Sequence, residues 1–314
     1  MFRNSNILIP TDFSHYALYA FRYGIAIAKE YSAHLHIVHI LDPALFSTGS
    51  GHGYWITKTD LDKLDTSMTE HAEKRLAHLV EQARLAGVEA TSYLERGKPE
   101  TKIVELSQAL KCDIITIATH GRTGLDRLIF GGVAERVVRY SEMPVLSIKH
   151  PEHEFVDNGD LAIHINRILF PTDFSDYAEK ALPYAASLCA EFNAELVLMH
   201  VTEMPIVFPE YMPENMSAIS EEMVSHAQEG LERIAQGIAN VSTEILIRTG
   251  VAYREICRYV EENEVDLIVL PTHGKTGLAH LLFGSVADKV VRLARCPVLS
   301  IRPEALDRSD NATS

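Results

Sequence analysis

The chain has 314 residues, 46% of them hydrophobic, so it can bury a sizeable core and its length predicts two domains. Its formal net charge of −14 argues against a surface that binds nucleic acid or anionic membrane, but it does not exclude a local phosphate site made of backbone N–H groups. No stretch reaches the ~18 apolar residues of a membrane span, and the N-terminus has no secretory apolar region, so we expect a cytoplasmic protein.

Neither the cysteines nor the histidines are spaced like metal ligands. The cysteines form no closely spaced pair, which predicts reduced thiols without a disulfide or zinc; they are Cys112, Cys189, Cys257 and Cys296. His34 and His36 would share one face of a strand, whereas His39 would point the other way. Because only two of these histidines could ligate together, we expect no metal site.

The first half alternates predicted strands and helices. Ser14, which ends the turn TDFS, is the candidate N-cap of the first helix. The predicted strands are 7–10, 34–41, 88–95, 112–118 and 144–148, and the predicted helices are 15–31, 65–86, 100–110 and 132–140. Residues 42–65 are expected to form a loop-like insert. Such alternation predicts parallel strands joined by right-handed crossovers in an open α/β sheet.

The second half repeats the first. Residues 7–40 align without gaps with 168–201 at an offset of 161, and 119–149 align with 272–302 at an offset of 153, so the second half is eight residues shorter in its middle (161 − 153). A period this long indicates two whole domains. The predicted divisions are a first domain at 1–150, a linker at 151–166, a second domain at 167–303 and a disordered tail at 304–314.

The second half is therefore expected to repeat the same element order. Its predicted strands are 168–171, 195–202, 243–248, 265–271 and 297–301, and its predicted helices are 175–191, 217–239, 252–263 and 285–295.

Each half ends in a glycine-containing stretch that follows a buried strand. THGRTGLDRLIFGGVAERVV begins at Thr119, and THGKTGLAHLLFGSVADKVV begins at Thr272. A strand, a glycine loop and a helix N-terminus together form an anion site, because free N–H groups and the positive end of the helix dipole point at one place. Ligands of open α/β sheets bind beyond the carboxyl ends of the strands, where this loop, the PTD turn and the end of strand two should meet.

These PTDFS turns and glycine stretches resemble those of the universal stress protein family, and the resemblance covers nearly all of both halves. The nucleotide-binding members carry the pattern G-x2-G-x9-G-[S/T]. In the second copy Gly274, Gly284 and Ser285 match it, but Pro271 replaces the first glycine. Because proline has no N–H, whatever that glycine contributes is altered.

The first copy departs from the same pattern twice. Gly121 and Gly131 match, but Ala118 stands at the first glycine and Gly132 at the hydroxyl residue. The resemblance implies two tandem open parallel-sheet domains, Rossmann-like and similar to the adenine nucleotide alpha hydrolases. It further implies a pseudo-dimer in which the two fifth strands pair, and the chain could also form a homodimer.

The resemblance implies a nucleotide-binding regulatory protein of the stress response, with ATP, with or without Mg²⁺, held mainly in the second half. The residues expected to bind it there are Pro171, Asp173, Val201, Gly274, Lys275, Gly284, Ser285 and Val286. Their counterparts in the first half, where a purely structural copy is an open alternative, are Pro10, Asp12, Ile40, Gly121, Arg122, Gly131 and Gly132.

Structural roles compete with binding roles at most of these positions. The two aspartates could bond their own turns, and Ser285 could be an N-cap with Asp288 completing a variant capping box. Lys275 and Arg122 could be solvated cations. The side chains of Val201 and Ile40 could simply pack in the core.

Other functions also compete with a nucleotide-binding role. We expect no catalytic residue, because His120 and His273 have no nucleophile or acid spaced to work with them, although slow ATP hydrolysis stays open. A carrier of a non-nucleotide ligand or an interaction scaffold is favoured by the departures from the glycine pattern. Apolar residues such as Trp55, in the insert, and the segment 203–216 could cover such a ligand.

Overall fold

The computed structural model describes residues 5–44, 58–119, 132–149, 154–157, 159–203, 216–272 and 284–302. The chain divides into two compact units. The first unit comprises Phe2–Lys149 with Val156–Ile163, and the second comprises His150–Phe155 with His164–Ser314.

The first unit is a parallel sheet with helices in the crossovers. Its elements are β1 (Asn6–Pro10), α1 (His15–Tyr31), β2 (His34–Leu41), α2 (Lys58–Leu85), β3 (Ala90–Arg96), α3 (Pro99–Ala109), β4 (Ile114–Ala118), α4 (Gly132–Tyr140) and β5 (Val145–Ile148). The strand order is β3-β2-β1-β4-β5, and every neighbouring pair is parallel. The order reverses at β1, between β2 and β4, which is where such sheets bind ligands.

The second unit repeats this arrangement. Its elements are β6 (Arg167–Pro171), α5 (Asp176–Phe192), β7 (Glu195–Thr202), α6 (Met216–Gln236), β8 (Thr243–Thr249), α7 (Ala252–Glu262), β9 (Leu267–Pro271), α8 (Ser285–Leu293) and β10 (Val298–Ile301). The order is β8-β7-β6-β9-β10, again all parallel. The predicted α/β class with two tandem parallel-sheet domains is confirmed.

The central strands are apolar because helices cover both of their faces. Ile7, Leu8 and Ile9 of β1 have no exposed surface, and Ile168 and Leu169 of β6 are equally buried. Continuous apolar runs therefore identified these strands correctly, since a strand with one wet face would alternate polar and apolar residues.

Two sequence expectations differ from the structure in extent. The insert expected at 42–65 is shorter, because α2 begins at Lys58 and not at 65. The stretch expected to be a linker contains packed residues: Val156 and Ile163 form an antiparallel bridge, and Phe155 and Val156 are buried. Apolar residues within a polar stretch are the reason, since burying them offsets the cost of ordering the backbone.

The turn after β1 is held in a conformation that its sequence alone would not favour. Phe13 has a φ of 62°, a left-handed backbone that costs a bulky residue about 1–3 kcal/mol. The Phe13 N–H donates to Thr11 Oγ1, and the Ser14 N–H donates to Asp12 Oδ1. The Ser14 hydroxyl then caps α1 by accepting from the Ala17 N–H, as predicted.

A histidine at the end of β2 supports this turn. His39 Nδ1 lies 2.7 Å from the Thr11 carbonyl oxygen. Because a carbonyl oxygen only accepts, Nδ1 carries the proton. The imidazole also lies 4.4 Å, centroid to centroid, from the ring of Phe13. His39 therefore gives the strained turn one hydrogen bond and one ring contact, and β2 adds a second hydrogen bond from the Thr11 N–H to the Val38 carbonyl at 2.8 Å.

His36, also on β2, is buried and bonded through both ring nitrogens. Its Nδ1 lies 3.0 Å from the Tyr93 hydroxyl, and its Nε2 lies 3.2 Å from Asn6 Oδ1. Burial, together with the smaller effect of the nearby His34 imidazole, lowers the pKa of His36 to about 4. The folded protein therefore holds a neutral imidazole at this position.

We predict that His36 makes the protein less stable in acid. Its pKa is lower in the folded state than the value of 6.5 expected for an unfolded histidine. Its contribution to stability is thus complete above pH 6.5 and is lost as the pH falls toward 4, by at most about 3 kcal/mol. An NMR titration of the His36 ring should give a midpoint near 4. A midpoint near 6.5 would contradict the prediction, and His36→Gln should remove this part of the pH dependence.

Candidate functional site

A cleft opens in the second unit beyond the carboxyl ends of β6, β7 and β9. Its volume is about 150 Å³. The lining residues are 171–173 after β6, 199–201 on β7, Ala252 and Ile256 on α7, 270–272 at the end of β9, and 284–287 at the start of α8. The volume is below the roughly 300 Å³ at which pockets for drug-sized ligands begin, so the cleft can enclose one part of such a ligand and leave the rest outside.

The described residues predicted to bind a ligand in the second half line this one cleft. They are Pro171, Asp173, Val201, Gly284, Ser285 and Val286. The other predicted positions in glycine stretches lie outside the described residues: Gly274, Lys275, Gly121, Arg122 and Gly131. The same is true of His120, His273 and Trp55, and of most of the segment 203–216.

Gly284 joins the start of α8 to the end of β9. Its N–H donates to the Thr272 carbonyl oxygen at 2.8 Å. A Cβ on Gly284 would lie 3.2 Å from that same oxygen, so a side chain here would push the two segments apart. With φ −68° and ψ 141°, Gly284 needs no left-handed backbone, and its lack of a side chain serves this close approach. Its N–H is therefore already used within the protein.

Ser285 is the first residue of α8 and not its N-cap. The alternative in which the Ser285 hydroxyl caps this helix is therefore wrong. The N-cap is Gly284, which has no side chain to accept a hydrogen bond. The first intrahelical bond runs from the Asp288 N–H to the Gly284 carbonyl. The N–H groups of 285–287 thus lack an intrahelical acceptor, and no described residue outside the helix accepts from them. All three residues line the cleft.

Asp173 and His200 shape the opposite wall of the cleft. Asp173 Oδ1 accepts from the Ser175 N–H at 3.0 Å, so one carboxylate oxygen has the structural role considered for it. His200 Nδ1 donates to the Thr172 carbonyl at 2.8 Å, and its ring lies 4.5 Å from that of Phe174. Phe174 has a φ of 58°, which repeats the strained turn of the first unit.

In the first unit, the corresponding residues occupy the corresponding elements. Pro10 ends β1, Asp12 follows it in the turn, and Ile40 is on β2. Ile40 and Val201 are both partly exposed, so each side chain could pack against the core and still border a ligand. Gly132 is the first residue of α4, as Ser285 is of α8.

Sequence reasoning missed two parts of the cleft. His200 was overlooked because histidines were considered only as metal ligands or catalytic groups, although its recurrence at His39 was a usable signal. Ala252 and Ile256 were missed because α7 follows β8, which lies at the edge of the strand order, away from the glycine stretch.

The buried cysteines are not activated thiols. Burial raises the pKa of the Cys112 and Cys189 thiols to about 12 and raises that of Cys296 as well, so these cysteines are poor nucleophiles at neutral pH. None of the four cysteines, all of which lie in the described ranges, forms a disulfide. Within the described ranges, no group of three or more potential ligands could hold a metal ion.

None of the helices in the described part of the chain is both long enough and apolar enough to cross a membrane.

Comparison with known proteins assigns both halves to one family. The universal stress protein family model matches residues 3–149 and 164–302. Universal stress protein MJ0531 of Methanocaldococcus jannaschii is 34% identical over 148 residues, which are 47% of this chain and 84% of that protein. Universal stress protein YxiE of Bacillus subtilis is 34% identical over 146 residues, 44% of this chain and 99% of that protein.

Solved structures share the fold over almost the whole length. A universal stress protein from Archaeoglobus fulgidus has a TM-score of 0.66 at 22% identity, and the match covers 96% of this chain and 97% of that one. A protein from Pseudomonas aeruginosa described as a putative universal stress protein has a TM-score of 0.65 at 17% identity, and the match covers 99% of this chain and 98% of that one. With the family model matched twice in succession, the chain belongs to the universal stress protein family as a tandem, two-domain member.

Proposed function

We propose that this protein is a regulatory nucleotide-binding protein of the stress response and that its second unit binds ATP. The observation that carries the proposal is the cleft in which Pro171, Asp173 and Val201 face the first turn of α8. Three N–H groups without acceptors among the described residues lie at that turn. N–H groups at a helix N-terminus favour phosphate oxygens.

The start of α8 differs from the other helix starts around this cleft. The Ser175 hydroxyl accepts from the Ala178 N–H and caps α5. At α7, Glu203 Oε1 accepts from the Ala252 N–H at 2.8 Å, so a carboxylate of the protein already occupies that position. Of these three helix starts, α8 is the one at which an external anion would meet no competing side-chain acceptor among the described residues.

The rest of the cleft suits the nucleoside part. Met199, Val201 and Ile256 supply an apolar surface for a base. The Asp173 carboxylate can accept hydrogen bonds from ribose hydroxyls or from an amino group. Mg²⁺, if it accompanies ATP, would bind with the phosphates, since this ion retains several waters and is commonly held by substrate phosphates.

A carrier of a different small ligand is the second candidate function. It is favoured by Pro271, which lines the cleft and cannot donate a backbone hydrogen bond. Native mass spectrometry of the protein purified from cells distinguishes the two candidates, because it gives the mass of whatever co-purifies. Slow ATP hydrolysis is tested separately by a turnover assay on the nucleotide-bound protein.

Replacing Ser285 tests the N–H donors directly. Ser285→Ala removes the hydroxyl and keeps the N–H, whereas Ser285→Pro removes both. Proline is well tolerated at the first helical position, and the ψ of 141° at Gly284 suits a following proline. We expect Ser285→Pro to bind ATP about 10-fold more weakly than Ser285→Ala in isothermal titration, the value of one hydrogen bond to a charged group.

The matched control is Gly132→Pro, which makes the same change at the start of α4 in the first unit. This variant should leave the affinity of the second unit for ATP unchanged. Absence of ATP binding by the wild-type protein would remove the nucleotide from the proposal. Equal affinities for Ser285→Ala and Ser285→Pro would exclude the Ser285 N–H as a donor.

We further propose that the two units form an intramolecular pseudo-dimer by pairing β5 with β10. Each strand has a partner inside its own unit on one side. A strand paired on one side only would protect every second N–H from exchange, because successive N–H groups of a strand point in opposite directions. Hydrogen exchange at single-residue resolution should show consecutive protected N–H groups in both strands. An alternating pattern would show that each strand is a free edge.

A further inference from the structure

Two cations of the second unit share one uncharged aromatic ring beside the cleft. Lys289 Nζ on α8 lies 4.5 Å from the centroid of the Tyr253 ring on α7. Arg254 Nε donates to the Tyr253 hydroxyl at 3.0 Å. No carboxylate of the described residues forms an ion pair with Lys289 or Arg254. Both positive charges therefore remain available to a ligand.

The position of this cluster relates it to the cleft. Tyr253 directly follows Ala252, and Lys289 is one helical turn after Ser285; Ala252 and Ser285 both line the cleft. Side chains of a helix lean toward its N-terminus, so Lys289 extends toward the first turn of α8. Its charge thus adds to that of the three N–H groups there.

The first unit has an ion pair at the same two positions. Glu100 and Arg136 precede Tyr253 and Lys289 by 153 residues, the offset of the repeat. Arg136 Nε lies 2.9 Å from Glu100 Oε1, and the Glu100 side chain is only 18% exposed. A Cβ at Gly132 would lie 3.4 Å from Arg136 Nη2, so the guanidinium lies beside the first residue of α4.

This exchange of residues changes the local charge. In the first unit the carboxylate of Glu100 cancels the charge of Arg136, and Thr101 stands where the second unit has Arg254. In the second unit the tyrosine holds Lys289 by a cation–π contact without neutralising it. The two units thus have nearly the same fold but offer a phosphate chain different electrostatic environments.

We propose that Lys289 and Arg254, positioned by Tyr253, form the subsite for the distal phosphates of a nucleotide in the second unit, and that Glu100 occupies the equivalent place in the first unit. This inference rests on the proposed nucleotide function of the cleft. It assigns to the site a preference for nucleoside di- and triphosphates over monophosphates and nucleosides. It also attributes the difference in phosphate binding between the units to one pair of facing side chains, Tyr253 and Lys289 in the second unit and Glu100 and Arg136 in the first.

The test is a series of affinities of the full chain for adenosine, AMP, ADP and ATP, measured by isothermal titration. Wild-type affinity should rise with each added phosphate. Lys289→Gln should weaken ATP binding about 10-fold and leave adenosine within about 2-fold, because only the phosphates interact with the charge. Lys289→Arg should restore most of the ATP affinity. Arg136→Gln, the same change in the first unit, should not alter the second site.

Tyr253→Glu tests the proposed role of Glu100, because it gives the second unit the carboxylate that pairs with the cation in the first unit. This variant should weaken ATP binding at least as much as Lys289→Gln does, and it should leave the affinity for adenosine unchanged. Equal losses of affinity for adenosine and for ATP in both variants would indicate a structural role of these residues and would overturn the inference. The proposed function would still stand in that case if the wild-type protein binds ATP. A wild-type protein that binds no member of the series would overturn both.

Discussion

The candidate site depends on the hydrogen bond from the Gly284 N–H to the Thr272 carbonyl. This 2.8 Å contact brings the first turn of α8 against the end of β9. A Cβ at this position would lie 3.2 Å from the accepting oxygen, so any other residue would displace one of the two segments by a few tenths of an ångström. The same contact leaves Ser285 as the first helical residue without a side-chain cap before it. One close approach of two backbones thus forms the cleft wall, and the next three N–H groups have no acceptor in the part of the chain that the structure describes.

The opposite wall is a strained turn that both units build in the same way. Phe13 and Phe174 adopt left-handed backbone conformations, and a histidine from the next strand, His39 or His200, binds each turn. Residues in such conformations persist only where their surroundings hold them, and they concentrate at binding sites. The turn of the second unit also carries Asp173, a proposed ligand-binding residue, so His200 would position this carboxylate through the backbone.

Duplication preserved this framework, whereas the charged residues around it diverged. The strand order and the capping serine recur in both units. Beside the first turns of α4 and α8, however, Glu100 and Arg136 form an ion pair where Tyr253 and Lys289 form a cation–π contact. A fold can tolerate such an exchange because an ion pair that is still partly exposed to solvent contributes little to stability. We expect the same exchange to affect the binding of a charged ligand more strongly than it affects the fold.

The sequence predicted the strands and the first cap well because these depend on local chemistry. Continuous apolar runs identified β1 and β6, and the serine of the first PTDFS turn identified the cap of α1. Its counterpart Ser175 is the N-cap of α5, although that helix was expected to begin at residue 175. Six of the fifteen residues that line the cleft were predicted, because the carboxyl ends of parallel strands meet at one edge.

Features that depend on contacts between distant segments could not be predicted. The Gly284 N–H was expected to be available to phosphate, and its use by Thr272 is visible only when β9 and α8 are side by side. Ala252 and Ile256 enter the cleft through packing of α7, which no periodicity in the sequence indicates. The cation–π contact of Lys289 with Tyr253 joins residues 36 positions apart (289 − 253) and likewise has no local signal.

The most direct test of the central claim is an ATP titration in which the backbone N–H resonances of 285–287 are followed by NMR. The account predicts that these three signals shift most and that the Asp173 signal shifts over the same range of ATP concentration. The Gly284 signal should shift less, because its N–H is already bonded. ATP binding that left the signals of 285–287 in place would contradict it.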